Sequence, residues 1–380
     1  MELEEVLADL ADPAYPAMFL ECTTDEEESL AASDEEGDEE WHEEAFVASS
    51  DEESPEESFT DPAAYEARLY RDFWNDMFAG DEHGSYDTLT SIPPMFFTDR
   101  STRDDYVHEQ PTLQIFSVKV TDITGGLEWP LDVYGMVVVR DVVDRNRNII
   151  FHRNRDNCQT ITQEDPCLVL TGPTRAVVLS VQAAFVEVDL KVKGTTESED
   201  RDLSFLAVSY KNDGSSSSYV FDRVETSRLS TLELTFGHIV NSVEATISMQ
   251  VVRGSWPHGF RGVFTACTTD IHGLDVLLLS FGDGELPVDE EDEVKLSRRV
   301  VSVEFSRPMA RRKKANRKKP KLKISGQALH IEGERDVLKD DAVFTSKKNG
   351  RSKQMLRIGS CEMEVTVAWS LLSTFKCSYD

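Results

Sequence analysis

The segment 144–148, DRNRN, carries side-chain oxygens at alternate positions, as the first half of a calcium-binding loop does. Such a loop needs a glycine at its sixth position and a bidentate glutamate at its twelfth. Here those positions hold Ile149 and Arg155. Asp141 and Asp144 still offer two carboxylates, but the arginines interleaved with them would repel a cation. The spacing therefore predicts a hairpin turn.

Histidine and cysteine, the commonest zinc ligands, occur in two loose groups, which lack the closely spaced ligand pairs of a zinc site. Core or surface positions explain them better than a metal does. The chain also has no nucleophile elbow and no phosphate-binding glycine loop. The sequence predicts neither a metal nor a cofactor. The two groups are His152 with Cys158 and Cys167, and His258 with Cys267 and His272.

The strongest charge feature is the basic segment, residues 307–323, with the sequence RPMARRKKANRKKPKLK, ten bases and no acid. It fits a nuclear-import signal, a patch for nucleic acid or another anionic surface, or a solvated loop between strands. RNA-binding segments usually interleave aromatic residues, which are missing here, so import is favoured over nucleic-acid binding. The residues expected to bind an import receptor are Arg311, Arg312, Lys313, Lys314, Arg317, Lys318 and Lys319.

The opposite charge is concentrated at the N-terminus. Of the 71 acidic residues, 24 lie in residues 1–61, which hold no lysine or arginine. Mutual repulsion and scarce apolar residues predict that residues 1–59, the acidic arm, are disordered. Ser33 and Ser50 each precede Asp-Glu-Glu and are candidate phosphoacceptors for acidophilic kinases of the casein kinase type. The arm is interpreted as a solubilising tail or as a partner-docking segment.

The six cysteines are scattered, and the first ten residues lack the basic and apolar regions of a signal peptide. No apolar run approaches the length of about 18 residues that a membrane helix needs. We therefore expect a reduced protein in the cytoplasm, the nucleus or both, without membrane contact.

These charged segments need a scaffold, which begins with a helix. Thr60 or Asp61 can cap it, Pro62 suits its first turn, and apolar residues recur at three and four positions until Gly80. The sequence predicts an amphipathic helix whose aromatic stripe packs on its own domain. An extended leader follows, so residues 60–100 form a helix and leader ahead of a β-rich domain, which spans residues 101–376.

Alternation with a period of two dominates the rest of the chain. In residues 186–193 apolar residues at even positions alternate with charged residues at odd ones, so Glu187 and Asp189 are expected on the solvent face. Repeated short strands without intervening helices predict an all-β body of antiparallel β-sandwich type, either one large sandwich or two packed ones. Residues 212–218, NDGSSSS, are interpreted as a hairpin tip. The predicted strands are TLQIFSVKVTDI, LDVYGMVVVRDVV, RNIIFHR, CLVL, RAVVLSV, FVEVDLKVKG, LSFLAVSY, STLELTF, EATISMQVV, FRGVFTAC, VLLLSF, RVVSVEF, KLKISGQAL and CEMEVTVAW.

Several long blocks carry a resemblance to a known family: LQIFSVKVTDITGGLEWPLDVYGMVVVRD, NRNIIFHRNRDNCQTI, DPCLVLTGPTRAVVL and VDLKVKGTTESEDRDLSF. They resemble a grass-specific family known only as a domain of unknown function, over residues 92–372. The resemblance implies a plant protein without an established activity. Some relatives are described as ribosome-inactivating or jasmonate-induced proteins, because the domain can be fused to an rRNA N-glycosidase domain.

That resemblance makes rRNA N-glycosidase activity an alternative. In this chemistry two tyrosines stack the adenine, a glutamate stabilises the sugar cation, and an arginine three residues later protonates the base. Glu225 and Arg228 have the spacing, and Tyr210, Tyr219 and Trp256 are available aromatic residues. The family places its pair on a buried helix, whereas the residues after Arg228 alternate as a strand. A turn or surface pair is therefore the favoured interpretation.

The sequence as a whole favours a non-catalytic interaction or regulatory module whose protein partner is unknown. The alternatives are the N-glycosidase and a nucleic-acid-binding protein that uses the basic segment. The two charged segments also suggest a hypothesis of masking, in which the acidic arm covers the basic segment through attraction that salt screens within about 8 Å.

Overall fold

A computed structural model of the chain describes residues 60–80, 82–100, 106–268, 271, 273–282, 284–305, 320–331 and 337–375. In this part of the chain one α-helix, α1 (Pro62–Phe78), precedes eighteen strands. In order the strands are β1 (Val107–His108), β2 (Gln110–Ile123), β3 (Leu131–Arg140), β4 (Asn148–Arg153), β5 (Gln159–Ile161), β6 (Val177–Val178), β7 (Ala184–Val192), β8 (Arg201–Tyr210), β9 (Tyr219–Ser227), β10 (Ser230–Arg253), β11 (Phe260–Thr268), β12 (Val276–Phe281), β13 (Val300–Glu304), β14 (Lys321–His330), β15 (Val337–Thr345), β16 (Gly350–Ile358), β17 (Cys361–Ser370) and β18 (Leu372–Ser373). The strands pair antiparallel, so the predicted all-β class with one N-terminal helix is confirmed.

Three larger sheets build two sandwiches. A seven-stranded sheet contains β2, β6, β9, β10, β13, β16 and β17; a five-stranded sheet contains β3, β4, β5, β7 and β8; and a four-stranded sheet contains β11, β12, β14 and β15. One core packs residues of the five-stranded sheet against the start of β10 and β2. The other packs the four-stranded sheet against the end of β10, β13, β16 and β17. We call these the first and second sandwich, and they share the seven-stranded sheet.

Strand β10 links the two sandwiches because it contributes to both cores. Its even-numbered residues Leu232 and Leu234 are buried in the first core, and its odd-numbered Ala245 and Ile247 are buried in the second. The change occurs near Asn241, which has a φ of +46° and lies where the pairing register with β2 shifts. Such an irregularity re-aims the following side chains, so one 24-residue strand serves two cores.

Helix α1 forms where the sequence predicted it. The Asp61 carboxylate accepts a hydrogen bond from the Ala64 backbone N–H at 3.1 Å, with proline in the first turn. The aromatic stripe packs on the five-stranded sheet: the Tyr70 ring stacks on Phe185 with centroids 3.9 Å apart, and Trp74 is buried. Docking on its own domain is therefore confirmed.

The prediction that Glu187 faces solvent is wrong. Helix α1 covers this face of the five-stranded sheet, and Glu187 is buried. Its carboxylate pairs with Arg140 and lies 3.5 Å from Arg147. Asp189, two residues further along β7, is exposed as predicted. Period-two alternation identifies the two faces of a strand, but it does not reveal which helix covers one of them.

The strand boundaries depart from the sequence prediction in several places. STLELTF and EATISMQVV are not separate strands, because they join in β10. CLVL forms only an isolated bridge at Cys167. Strands β9, β15 and β16 were missed because charged and polar residues occur on both of their faces, which weakens the apolar alternation.

The interpretation of residues 212–218 as a hairpin tip is also wrong. The strands on either side, β8 and β9, belong to different sheets and do not pair with each other. The segment is therefore a crossover between the two sheets of the first sandwich.

Candidate functional site

A buried network of charged side chains lies where the loops of the first sandwich meet the shared sheet. Its centre is Arg175, just before β6, with two carboxylates from the β3–β4 loop around it. Arg175 donates to both oxygens of Asp141 at 2.7 and 2.8 Å and to Asp144 at 2.9 Å. Its two remaining donors reach the Ala176 carbonyl and the Thr90 hydroxyl. All five guanidinium donors are therefore used, and we call this group the junction network.

The junction network explains what the calcium-like spacing does. The segment 144–148 is the turn between β3 and β4, as predicted, and Asp144 is fully buried. The carboxylates of Asp141 and Asp144 are held by the Arg175 guanidinium instead of a metal ion. Burial alone would lower the pKa of Arg175, but the two carboxylates raise it above its ordinary value.

Glu244 adds a third carboxylate to this junction. It lies on β10, is 3% exposed, and accepts hydrogen bonds from the Met95 N–H at 2.7 Å and the Ala176 N–H at 2.8 Å. Burial raises the pKa of Glu244, although the backbone donors and Arg175 act against that shift. Met95, whose N–H makes this contact, has a φ of +61°, in the sparsely populated left-handed region.

The leader, residues 91–98, crosses the junction beside this carboxylate and leaves a pocket there. The Phe97 N–H donates to the Ser370 hydroxyl at 3.0 Å, which attaches the leader to β17. The space between them, the junction pocket, is partly open to solvent. About 40 Å³ of it is open to the centres of water-sized molecules, within about 430 Å³ of space that includes open solvent. Its lining is mainly apolar, with Glu244 and Arg175 as the charged members. The apolar lining includes Ile92, Phe96, Val178, Leu371, Leu372 and Phe375.

A second polar cluster lies at the same end of the first sandwich, where the crossover 212–218 begins and ends. Tyr210 and Tyr219 hydrogen-bond to each other, Tyr210 contacts His238 Nδ1 at 3.0 Å, and Tyr219 donates to Asp213 at 2.5 Å. We call these four residues the tyrosine–histidine cluster. His238 is fully buried, and its Nε2 has no hydrogen-bond partner among the described residues.

Burial is the main influence on the ionisation of this cluster. It lowers the pKa of His238 from its ordinary value, although Asp213 nearby acts in the other direction. It raises the pKa of both Tyr210 and Tyr219; the hydrogen bond to Tyr219 adds to the shift at Tyr210, and the hydrogen bond to Asp213 adds to the shift at Tyr219. The two tyrosines and the imidazole are therefore favoured in their neutral forms, whereas the lowered pKa of Asp213 favours its carboxylate.

The residues considered for N-glycosidase chemistry are not brought together. Glu225 lies on β9, where it pairs with Arg223 at 3.1 Å. Arg228 lies in the β9–β10 turn with a φ of +54°, and its backbone N–H donates to Asp61 at 2.7 Å. Tyr219 is six residues before Glu225 on an extended strand, a separation of about 20 Å.

The remaining aromatic candidate, Trp256, is buried in the second core. Its indole N–H donates to the Phe260 carbonyl at 2.9 Å. This places it in the other sandwich from the two tyrosines, so it contributes packing to the second core.

The candidate zinc ligands lie in separate environments. His152 and His258 are exposed, and Cys158, Cys167 and Cys267 are partly buried free thiols. His272 is outside the described residues. Among those that are described, no three His, Cys, Asp or Glu side chains are grouped closely enough to hold a metal ion.

Most of the basic segment lies outside the described residues, and so do Ser33, Ser50 and the acidic arm. This applies to each of Arg311, Arg312, Lys313, Lys314, Arg317, Lys318 and Lys319. The described end of the segment begins β14. There Lys321 is exposed and Lys323 is partly exposed, whereas Leu322 between them is fully buried.

Sequence reasoning did not single out Arg175, Glu244 or His238. Their partners lie far away in the chain: Arg175 bonds to residues 31 and 34 positions earlier, and Glu244 to one 149 positions earlier. A charged residue at an alternate position of a strand normally indicates solvent exposure. The only local signal was the pair of carboxylates in the β3–β4 loop, whose counter-ion the sequence does not reveal.

The fold thus defines an all-β protein of two sandwiches joined by a shared sheet. Residues 112–367, more than half of the chain, match the model of the family described as "Domain of unknown function (DUF6598)". The chain belongs to this family. No curated protein matches the sequence.

Solved structures with some similarity include the tandem C2 domains of extended-synaptotagmin 2. One such structure has a TM-score of 0.23 and 10% identity, covering 75% of this chain and 100% of that chain. A calcium-bound structure of the same domains has a TM-score of 0.22 and 11% identity, covering 70% and 99%. Human GIVD cytosolic phospholipase A2 has a TM-score of 0.21 and 7% identity, covering 71% of this chain and 33% of that chain. Scores this low support no inference about function.

Within the described ranges, no helix combines the length and apolar character needed to cross a bilayer.

Proposed function

We propose that this protein is a non-catalytic interaction module that binds anionic macromolecular surfaces through its basic segment. The observation that carries the proposal is the density of charge in residues 307–323, with ten bases and no acid. A cluster of this kind attracts acidic surfaces over a distance set by ionic strength.

The way the two ends of the segment are attached supports this function. β13 ends at Glu304 in the seven-stranded sheet, and β14 begins at Lys321 in the four-stranded sheet. The segment thus connects the two sheets of the second sandwich. At its described end the buried Leu322 fixes the strand while the neighbouring lysines point away from the core. The two described bases of the segment, Lys321 and Lys323, thus lie at the start of a strand that is anchored in the second core.

The favoured partner is an import receptor with an acidic peptide-binding groove, and the protein would then reach the nucleus. The test is the distribution of a fluorescent fusion of the full chain. Changing Arg311, Arg312, Lys313 and Lys314 together to glutamine should remove nuclear accumulation.

The matched control removes four exposed bases from other surfaces of the folded body, and it should leave nuclear accumulation unchanged. Loss of accumulation in both variants, or in neither, contradicts the import role. The four control residues are Lys211, Arg261, Lys295 and Lys339.

Nucleic-acid binding by the same segment predicts a different result. Affinity for a duplex or single strand would fall steeply with salt, and the four-glutamine variant would have a smaller salt slope than the control. Binding without such a difference would remove this alternative.

The acidic arm gives the module a regulatory role in the same proposal, since attraction between the arm and the basic segment would compete with an external partner. Deletion of residues 1–59 should increase affinity for heparin, and phosphate groups at Ser33 and Ser50 should decrease it. An unchanged affinity after deletion contradicts masking.

A further inference from the structure

The junction pocket has features of a ligand site that are independent of the basic segment. Its walls are apolar and come from three parts of the chain: the leader, the loops of the first sandwich, and the end of β17 with β18. One buried carboxylate, Glu244, lies at its base. Pockets of this composition usually bind an apolar body and orient it with a few polar groups.

The charges at the base of the pocket do not balance. Three buried carboxylates, Asp141, Asp144 and Glu244, lie around one guanidinium, that of Arg175. All five donors of Arg175 are occupied, and none of them is directed to Glu244. Within the described part of the chain, the carboxylate of Glu244 thus receives backbone donors and the Thr246 hydroxyl, but no ion pair. A buried carboxylate without a paired cation is costly unless a cation or a proton neutralises it.

A bare metal ion does not suit this position. The oxygens of Asp141 and Asp144 are already engaged by Arg175, which leaves Glu244 alone as an anionic ligand. The apolar walls provide none of the six to eight oxygens that calcium takes or the near-octahedral shell that magnesium needs. An organic cation matches both the negative charge of Glu244 and the apolar lining of the pocket. Its ammonium group pairs with the carboxylate, and its apolar group displaces water from the aromatic residues at the rim.

We propose that the junction pocket binds a small organic ammonium compound, with the ammonium group paired to Glu244 and an aromatic or aliphatic group against Phe96, Leu371 and Phe375. This site goes beyond the macromolecular recognition proposed above, and it uses only residues that the structure describes. The leader forms one wall, so a bound ligand would also strengthen the attachment of the leader to the sheet.

The test uses the full chain with isotope-labelled isoleucine methyl groups, because Ile92 lines the pocket and reports binding there. The probes are phenethylamine, which is a cation at pH 7, and 2-phenylethanol, its neutral counterpart. Phenethylamine should shift the Ile92 signal saturably, with an affinity at least about tenfold above that of the alcohol. A local reporter is needed because the acidic arm attracts any cation without involving the pocket.

Two variants assign the preference to named groups. Glu244→Gln keeps the shape and removes the charge, so it should reduce the preference for the amine to less than about twofold. Glu364→Gln, on β17 with its carboxylate paired to exposed Lys353, is the matched control and should leave the preference unchanged. Phe375→Ala changes a half-exposed side chain on the rim and should weaken the binding of both probes. Because the position is half-exposed, we expect this variant to fold even if Glu244→Gln does not.

Three results would overturn the proposal: no saturable shift of Ile92 at about 10 mM phenethylamine, equal affinities for the two probes, or an unchanged preference in Glu244→Gln. The first of these would indicate that a proton alone neutralises Glu244.

Discussion

Two buried arginines, one in each sandwich, differ in almost every respect. Arg175, in the first sandwich, has five hydrogen bonds and two carboxylate partners. Arg298, which precedes β13 in the second sandwich, is 1% exposed and donates to the Ile115 carbonyl, while its Nε has no partner among the residues that the structure describes. Neighbouring carboxylates raise the pKa of Arg175, whereas burial lowers the pKa of Arg298 to about 9.

The comparison shows that a buried guanidinium has a raised pKa where carboxylates surround it and a lowered pKa where it has no counter-charge. Desolvation of a guanidinium costs several kcal/mol, and only a complete set of hydrogen bonds and counter-charges offsets that cost. At Arg175 the set is complete and fixes the geometry of three separate chain segments. At Arg298 it is not, so this position should tolerate or favour an apolar side chain.

The largest expected effect is at Arg175. Arg175→Met leaves Asp141 and Asp144 buried without a counter-ion, and we expect it to lower the free energy of unfolding by about 3–5 kcal/mol. Arg351→Met, which removes an exposed pair with Asp99, should cost about 1 kcal/mol or less. Urea unfolding measures both. A loss below about 1 kcal/mol at Arg175 would contradict the account of the junction network.

At Arg298 the expected change has the opposite sign. Arg298→Met removes an unpaired buried cation and loses one hydrogen bond to Ile115, so the free energy of unfolding should rise by about 1 kcal/mol. Arg299→Met is the adjacent control: its side chain is half-exposed and pairs with Glu293, so the effect should stay within about 0.5 kcal/mol. A marked destabilisation at Arg298 would mean that this guanidinium has a counter-charge after all.

Glu244 extends the comparison to an acid without an ion pair among the described residues. Its pKa is raised in the folded protein, so the folded state binds a proton more strongly than the unfolded state. Stability should therefore fall as the pH rises from the ordinary value of 4.5 through the folded pKa. Unfolding of the wild type and of Glu244→Gln at pH 5 and pH 7.5 tests this. The free energy of unfolding of the wild type, relative to that of the variant, should be higher at pH 5 than at pH 7.5. A constant difference between the two would refute the prediction.

The smallest effect is expected at His238, the buried base of the tyrosine–histidine cluster. Its pKa is lowered on folding. Below the ordinary value of 6.5 the unfolded state therefore binds more protons than the folded state, and the free energy of unfolding decreases as the pH is lowered. Tyr210 and Tyr219 face the ring as neutral hydroxyls, and Asp213 partly compensates its charge. Between pH 7 and 5.5 the wild type should lose more stability than His238→Gln. Parallel profiles for the two proteins would show that the imidazole does not titrate as proposed.

Local pattern predicted the parts of the fold that depend on local chemistry. The cap at Asp61 and the alternating face of β17, with Met363, Val365 and Trp369 fully buried, follow from spacing alone. The continuity of β10 does not, because Gly237 is a turn signal that pairing with β2 and β9 overrides, and at Asn241 the strand continues through a shift in its register with β2. The charged site was the least predictable part, since Arg175 and Glu244 obtain their partners through tertiary contacts.

The proposed function rests on the basic segment, and binding to a purified import receptor tests it most directly. Fluorescence anisotropy of the full chain would compare the wild type with two variants, one with glutamine at residues 311–314 and one with the four control bases replaced. The account predicts at least about a tenfold loss of affinity for the first variant and less than about a twofold loss for the second. Equal losses in the two variants, or no loss in either, would contradict it.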